Sequence, residues 1–256
     1  MASLQDKVVF ITGASSGIGR ASAFAFAGEG ADLILAARRI ERLKELEIEL
    51  KKKFKVEVLI IELDVRKKGD VKKAVASLKG KWRKIDILLN NAGLARGMSK
   101  IHEGNTEHWD EMIDTNVKGL LYVSREVIPV MAERMEGHVI NLGSIAGHEV
   151  YPNGNVYCAS KFAVNAISRA MRVDLYDKNI RATTIDPGMV ETEFSEVRFS
   201  GDKERAKKVY DGWKPLTAED IAETILWCAL RPAHVNISEV IIMSTAQGST
   251  TLLNKK

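Results

Sequence analysis

The chain alternates short apolar segments with longer segments in which apolar residues recur at helical spacing. The short segments are four to six residues long and rich in Val, Ile and Leu, which is typical of buried β-strands. Strands that are separated by helices pair in parallel and are covered on both faces, so the alternation predicts a doubly wound α/β fold with a seven-stranded parallel sheet. The predicted strands are residues 8–11, 33–36, 56–61, 85–89, 138–142, 181–185 and 240–243.

One domain accounts for the whole chain, because 256 residues suit a single α/β domain and no linker or internal repeat divides them. Residues 189–215 interrupt the alternation after the sixth strand, and this charged segment contains Gly201 and Gly212. Ligands of doubly wound sheets bind beyond the carboxyl ends of the strands. We therefore expect residues 1–256 to form one domain in which residues 189–215 are a lid over a substrate site.

Composition and charge exclude several kinds of partner. Hydrophobic residues make up 45% of the chain, and no apolar run approaches the roughly 18 residues of a membrane span, so we expect no membrane partner. The net charge of +4 comes partly from the basic run 51–55, which closes an amphipathic helix. This position favours a solvated helix end, and we expect no nucleic-acid partner.

Cysteine and histidine usage points to an intracellular enzyme without a metal. Cys158 and Cys228 make no disulfide framework, and no leader segment precedes the first predicted strand, so we expect a cytoplasmic protein. The five histidines include no pair at metal-ligand spacing, and no Cys/His cluster is present. We predict no metal site.

A glycine-rich turn follows the first predicted strand and opens the first helix. Backbone N–H groups in such a turn can hold a pyrophosphate at the helix N-terminus, and the glycines permit its close approach. A plain structural turn is the alternative interpretation, since glycine loops alone are weak evidence. The predicted cofactor-binding residues here are Gly13, Ser15, Ser16, Gly17, Ile18 and Gly19.

The end of the second strand indicates which dinucleotide binds. An acidic residue at this point binds the ribose diol of NAD, whereas basic residues accept the additional phosphate of NADP. Here Arg38 and Arg39 follow the strand and no carboxylate is present. A guanidinium binds a phosphate through paired hydrogen bonds, so we predict NADP as the cofactor. The alternative is that both arginines merely begin the next helix.

Tyr157 and Lys161 are four residues apart, about one helical turn, at the start of a continuous helical pattern over residues 156–177. An adjacent cation favours the phenolate and lowers the pKa of a tyrosine toward the range of efficient proton transfer. Tyr210 and Lys214 have the same spacing, but Gly212 lies between them and Pro215 follows, so no regular helix is expected there. Tyr157 is therefore the candidate acid/base.

Taken together, the motifs resemble those of the short-chain dehydrogenase/reductase family from end to end of the chain. Taken alone, Ser144 is typical of a helix cap and Asn91 of a turn, so the order of the whole set carries the resemblance. The motifs are Thr12-Gly13-x-x-x-Gly17-x-Gly19, Asp64-Val65, Asn90-Asn91-Ala92-Gly93, Asn116, Ser144, Tyr157-x-x-x-Lys161 and Pro187-Gly188.

This resemblance implies a Rossmann-type oxidoreductase and a homotetramer. Ser144 is expected to bind the substrate oxygen, Tyr157 to transfer the proton, and Lys161 to lower the tyrosine pKa and bind the nicotinamide ribose. Asn116 is expected to support a proton-relaying water. Further cofactor contacts are implied for Asp64, Val65, Asn91, Pro187, Gly188, Val190 and Thr192.

Four other segments look like the NADP-dependent 3-hydroxy acid dehydrogenases, a group that includes serine 3-dehydrogenase and malonic semialdehyde reductase. The implied substrate is a small 3-hydroxy acid such as serine, allo-threonine or 3-hydroxypropionate, or the matching semialdehyde. Such a substrate carries a carboxylate, and Arg198 in the predicted lid is our candidate cation for it. The segments are residues 91–98, 154–157, 192–199 and 232–237.

Two alternative functions stay open at this point. Reductases of 3-oxoacyl thioesters, sugars or polyols share the nucleotide and catalytic motifs, so only the pocket segments distinguish them. A cofactor-binding regulator or scaffold without turnover is the second alternative, because a fold does not establish a function.

Overall fold

The computed structural model describes residues 3–255, and its seven parallel strands form one sheet in the order β3-β2-β1-β4-β5-β6-β7. This architecture confirms the predicted doubly wound fold. The third strand begins two residues later than predicted, because the ladder with the second strand starts only where Leu33 meets Val58. The strands are β1 (Val8–Thr12), β2 (Asp32–Ala37), β3 (Val58–Glu62), β4 (Ile85–Asn90), β5 (Gly137–Leu142), β6 (Ile180–Pro187) and β7 (Glu239–Ile242).

Helices cover both faces of the sheet. Successive residues of a strand point to opposite faces, so Val9 and Ile11 of β1 pack into one apolar core while Val8 and Phe10 pack into the other. All four side chains are almost completely buried. The helices are α1 (Gly17–Gly28), α2 (Ile40–Lys53), α3 (Lys68–Ala76), α4 (Thr106–Ile113), α5 (Leu120–Arg134), α6 (Asn155–Leu175), α7 (Phe194–Arg198), α8 (Lys203–Lys208) and α9 (Ala218–Ala229).

The topology fixes where a ligand can bind. β1 lies between β2 and β4, so the connections on its two sides run in opposite directions and leave a crevice at the carboxyl edge of the sheet. The loops after β1, β2, β4, β5 and β6 all reach this edge because the strands are parallel. Within residues 3–255, none of the helices is both long and apolar enough to cross a membrane.

The predicted lid segment contains the two short helices α7 and α8, and its two ends are brought together by an isolated β-bridge between Val190 and Leu216. Helix α8 ends at Lys208, so Tyr210 and Lys214 do not share a helix. This confirms that their spacing is not a helical pair. Whether the segment moves as a lid stays a prediction.

Candidate active site

The loop between β1 and α1 is pressed against the end of β4. Gly13 and Gly17 have φ angles of +66° and +50°, which glycine adopts most readily. A Cβ atom on Gly19 would lie 2.5 Å from Gly13 O and 2.5 Å from Asn91 Nδ2. Asn91 Nδ2 donates to Thr12 O at 2.9 Å, which ties the loop to β4. The first-turn N–H groups of α1 have no partners inside the helix, so they are available to an anion.

The two arginines after β2 lie at the mouth of this loop. Arg39 donates to Ser16 Oγ at 2.7 Å and forms an ion pair with Glu193 of the lid segment at 2.8 Å. Arg38 is 53% exposed, and its closest carboxylate, Glu111, is 4.0 Å away. Arg38 therefore has a guanidinium that is free to bind a phosphate, whereas Arg39 already bridges the glycine loop and the lid segment.

Asp64 follows β3 and is held by a residue that the sequence reasoning missed. Arg66 Nη2 lies 2.6 Å from Asp64 Oδ2, and this pairing lowers the pKa of the Asp64 carboxyl. Glu111 contacts Arg66 at 3.3 Å and Arg96 at 2.6 Å, and its pKa is lowered in turn, first by Arg96. Arg66 is only two residues from Asp64, but Glu111 is 45 residues from Arg66 and 15 from Arg96, so motif spacing gave no indication of the network.

Two adjoining cavities open at the carboxyl edge, and together they are lined by all the predicted cofactor-binding residues except Gly19, which packs beneath the loop. The first, of about 270 Å³, is lined by Gly13, Ser15, Ser16, Gly17, Ile18, Arg38, Arg39, Asp64, Val65, Asn91 and Thr192. The second, of about 460 Å³, is lined by Ser144, Tyr157, Lys161, Pro187, Gly188, Val190 and Arg198. Ile18, Asn91 and Thr192 border both cavities, so an extended dinucleotide fits along them from the arginines to the tyrosine.

Ser144, Tyr157 and Lys161 converge in the second cavity. Ser144 follows β5 and caps a single turn of 3-10 helix, since its Oγ accepts from Ala146 N at 3.1 Å. Tyr157 and Lys161 lie in the first two turns of α6, and both side chains are buried. Lys161 Nζ donates to Leu142 O at 2.8 Å and lies 5.9 Å from the centre of the Tyr157 ring.

Burial dominates the electrostatics of this group. It raises the pKa of Tyr157, an effect that Arg198 and the Ser144 hydroxyl partly oppose, and it lowers the pKa of Lys161 to about 8. We expected the neighbouring Lys161 to lower the phenol pKa, but desolvation is the larger effect here. The cation that lowers it is Arg198, which the spacing argument did not associate with the tyrosine.

Asn116 lies at a local change of helix geometry. Residues Asp114–Gly119 form a π-helical turn between α4 and α5, and such turns are frequent at functional sites. The Asn116 amide accepts from Leu94 N and donates to Leu94 O, both at 2.8 Å, and donates to Ser160 Oγ at 3.0 Å. These bonds hold the loop after β4 against α6, close to Lys161.

Arg198 reaches from the lid segment over the candidate acid/base. Its guanidinium carbon lies 5.0 Å from the centre of the Tyr157 ring and 5.1 Å from that of Phe194. Nη2 donates to Tyr151 OH at 2.9 Å, while Nε is buried without a hydrogen-bond partner. Among the residues that the structure describes, no carboxylate lies within 4.0 Å of this guanidinium. A half-buried cation without a carboxylate partner attracts an anion.

The second cavity also has walls that the sequence reasoning did not identify. They come from the loop after β4, the loop before α6, the lid segment and the C-terminal segment. Met98 and Phe199 end the segments 91–98 and 192–199 described above, but none of the six residues was assigned a role from the sequence. These residues are Met98, Tyr151, Phe199, Tyr210, Gln247 and Thr250.

Comparison with known proteins identifies the family. Residues 7–203 match the family described as short chain dehydrogenase. The chain belongs to this family. Among curated proteins, this short chain dehydrogenase is 47% identical to the NADP-dependent 3-hydroxy acid dehydrogenase YdfG of Salmonella typhi, over 94% of this chain and 96% of that protein. It is 42% identical to the NADP-dependent 3-hydroxy acid dehydrogenase of Schizosaccharomyces pombe, over 100% of this chain and 99% of that protein.

A solved structure shows the same similarity in three dimensions. The closed form of a serine dehydrogenase complexed with NADP+ superposes with a TM-score of 0.91 at 44% sequence identity. The comparison covers 96% of this chain and 98% of that one. The seven-stranded sheet and its flanking helices are therefore those of a short chain dehydrogenase.

The packing of the glycine loop leads to a first prediction. Gly19→Ala places a Cβ against backbone, so we expect the loop to shift, NADP affinity to fall at least about tenfold, and stability to drop by roughly 1–3 kcal/mol. Isothermal titration calorimetry and thermal unfolding measure the two effects. Gly69→Ala on α3 is the matched control, because a Cβ atom at that position would have nothing within 4 Å of it. Equal NADP affinity in both variants would contradict the prediction.

Proposed function

We propose that this short chain dehydrogenase is an NADP-dependent enzyme that oxidises the 3-hydroxyl group of a small 3-hydroxy acid, or reduces the corresponding semialdehyde. Serine, allo-threonine and 3-hydroxypropionate represent the substrate class. The observation that carries the proposal is the unpaired Arg198 guanidinium, 5.0 Å above the Tyr157 ring in the cavity beside the cofactor cleft. A carboxylate bound there brings a hydroxyl group two carbons away close to the phenol.

Each catalytic side chain has a distinct task in this mechanism. Ser144 donates a hydrogen bond to the substrate oxygen, and Tyr157 accepts the hydroxyl proton in oxidation or donates it in reduction. NADP supplies the hydride acceptor when it is bound. Lys161 contributes positive charge beside the phenol and binds the nicotinamide ribose, while Asn116 supports a water that carries the proton to solvent. Arg198 orients the carboxylate, so that the reacting carbon is held in place.

The binding of NADP follows from the charges at the first cavity. Arg38 binds the phosphate on the ribose, since no carboxylate follows β2 to repel that phosphate. The nearest carboxylate to the Arg38 guanidinium, that of Glu111, is 4.0 Å away. Arg39 donates a hydrogen bond to Ser16 in the glycine loop and also forms an ion pair with Glu193. Asp64 and Val65 contact the adenine, and Pro187, Gly188, Val190 and Thr192 border the nicotinamide end.

We also propose that the protein is a cytoplasmic homotetramer with a substrate lid, as the sequence predicts. Exposed apolar side chains on α5 and α6 and on α9 and β7 offer two faces for a homotetramer, and two buried free cysteines suit the cytoplasm. Residues 189–215 act as a substrate lid within one domain of residues 1–256. The exposed apolar residues are Leu121, Phe162, Val173, Trp227 and Ile241.

Charge reversal at Arg38 tests the cofactor. Arg38→Asp should weaken NADPH binding by at least about 100-fold, because a phosphate contact is replaced by repulsion, and should change NADH binding little. Fluorescence titration with both cofactors measures this. Arg83→Asp, a charge reversal on an exposed turn before β4, is the control. Equal losses for NADPH and NADH would exclude Arg38 as the phosphate ligand.

Removing the phenol hydroxyl tests the acid/base. Tyr157→Phe should reduce kcat by roughly 100-fold to 10,000-fold while NADPH binding is retained, because only proton transfer is lost. Wild-type oxidation should accelerate as pH rises, since burial raises the Tyr157 pKa and the proton-accepting phenolate forms only at alkaline pH. Stopped-flow and steady-state NADPH absorbance measure both. Tyr176→Phe is the control, as Tyr176 is 80% exposed; retained turnover in Tyr157→Phe would refute the assignment.

Truncation of Arg198 tests the substrate class. Arg198→Ala should raise KM for 3-hydroxypropionate at least about tenfold through the loss of a charge-assisted hydrogen bond, whereas the KM for an uncharged short alcohol should stay unchanged. Arg205→Ala is the matched control, because Arg205 lies in the same segment and its guanidinium packs on Phe199 outside the Tyr157 contact. An unchanged KM for the acid would show that the carboxylate binds elsewhere.

The same substrate panel distinguishes the alternatives. Faster turnover of an acetoacetyl thioester or a polyol than of any 3-hydroxy acid would identify another kind of short-chain reductase. NADPH binding without turnover of any substrate would favour a regulator or scaffold.

A further inference from the structure

A partly buried acid-imidazole-acid cluster lies directly behind the active site. Asp186 at the end of β6 is fully buried, and its Oδ2 lies 3.3 Å from His148 Nε2. The same nitrogen is 3.1 Å from Glu239 Oε1 on β7. Asn165 Nδ2 lies 3.0 Å from it and also donates to the Gly147 carbonyl. Neither the sequence motifs nor the proposed chemistry accounts for this cluster.

The cluster touches the catalytic group at a defined atom. Asp186 Oδ1 accepts a hydrogen bond from Ser144 N at 3.0 Å. The approach is so close that a Cβ atom on Gly143 would lie 1.7 Å from this oxygen, so glycine is required beside Ser144. One carboxylate therefore holds the backbone that presents the Ser144 hydroxyl, and its other oxygen lies 3.3 Å from His148.

The negative charge of the carboxylate also acts on Lys161. Burial lowers the pKa of Lys161, and the negative charge of Asp186 is what opposes this. The groups that face Asp186 are His148, Glu239 and Lys161. Burial raises its own pKa to about 6, a rise that His148 opposes and Glu239 increases. A buried carboxylate at neutral pH costs stability, and such costs are found where function requires them.

We propose that Asp186 is a positioning residue for the reaction: one of its oxygens fixes the Ser144 backbone, its charge acts on Lys161, and its other oxygen lies against His148. The roles of Ser144 and Lys161 are those of the proposed function, on which this inference rests. His148 lies in the loop after β5 and Asp186 lies on β6, so their contact joins these two parts of the chain. It thereby influences the geometry of Ser144 and Lys161 without contacting the substrate.

Asp186→Asn is the decisive variant, because the amide oxygen can still accept from Ser144 N while the charge is lost. We expect kcat for carbonyl reduction to fall at least about tenfold and the alkaline limit of its pH profile to move to lower pH, since Lys161 loses the charge that raises its pKa. His148→Gln should move the acidic limit up instead, because without His148 the pKa of Asp186 rises. A general loss of structure in the two variants would not move the alkaline limit down in one and the acidic limit up in the other.

Stability provides a readout that does not depend on turnover. The folded-state pKa of Asp186 lies above its ordinary value of 3.8, so the folded protein binds more protons than the unfolded chain and loses stability as pH rises through about 4 to 6. Asp186→Asn lacks this loss. Its Tm should equal or exceed that of the wild type at pH 7.5, and the difference between the two should grow from pH 5 to pH 7.5.

Asp86→Asn is the matched control at the opposite edge of the sheet, where Asp86 accepts from Val8 N at 2.9 Å and pairs with Arg134 at 2.7 Å. It should lower Tm and leave both pH limits in place. A lower Tm and unshifted pH limits in Asp186→Asn would show a structural role only, and unchanged kcat would also overturn the proposal. If the wild type oxidises no 3-hydroxy acid, the proposed function fails, and the pH dependence of the Tm difference still decides whether Asp186 is a charge held at a cost in stability.

Discussion

The parallel alignment of the seven strands is the constraint on which the rest of this structure depends. It brings the carboxyl ends of all seven strands to one edge, so residues separated by more than a hundred positions line two adjoining cavities. The close contact between the glycine loop and Asn91 then fixes β1 against β4 at the crevice. Because this contact fixes β1 and β4, it also fixes the edge of the sheet from which the other loops extend.

Ionisable side chains in and directly behind the second cavity are shielded from water. Tyr157, Lys161 and Asp186 are all buried, and burial disfavours the charged form of each. The surrounding hydrogen bonds compensate in part, through Leu142 O for the ammonium and Ser144 N for the carboxylate. Such a site stabilises charge through fixed dipoles instead of mobile solvent, which lowers the reorganisation that proton transfer requires.

Much of the fold and part of the site could be predicted from the sequence because the causes are local. Apolar periodicity gave the strands, and the unbroken helical pattern at Tyr157 distinguished it from Tyr210. The sign of the Tyr157 pKa shift was predicted wrongly, because the spacing to Lys161 is visible in the sequence and the depth of burial is not.

The parts that could not be predicted arise from long-range contacts. His148, Asp186 and Glu239 come from a loop and two strands, and no spacing rule joins them. Tyr151, which bonds Arg198, is likewise brought to the cavity only by the tertiary fold. Arg39 contacts both the glycine loop and Glu193 of the lid segment, so it connects the cofactor cleft to that segment. The sequence of neither segment indicates this ion pair.

The π-helical turn at Asn116 has a consequence beyond the catalytic group. Helices α4 and α5 run through it as one continuous rod, and each residue of an α-helix rotates the chain by about 100°. An added residue in one turn therefore rotates the whole outer surface of α5, including the exposed Leu121, relative to α4. The irregularity that brings Asn116 to Leu94 thus also determines the direction in which the exposed stripe of α5 faces. Regularising that turn would rotate this outer stripe and displace Asn116 together.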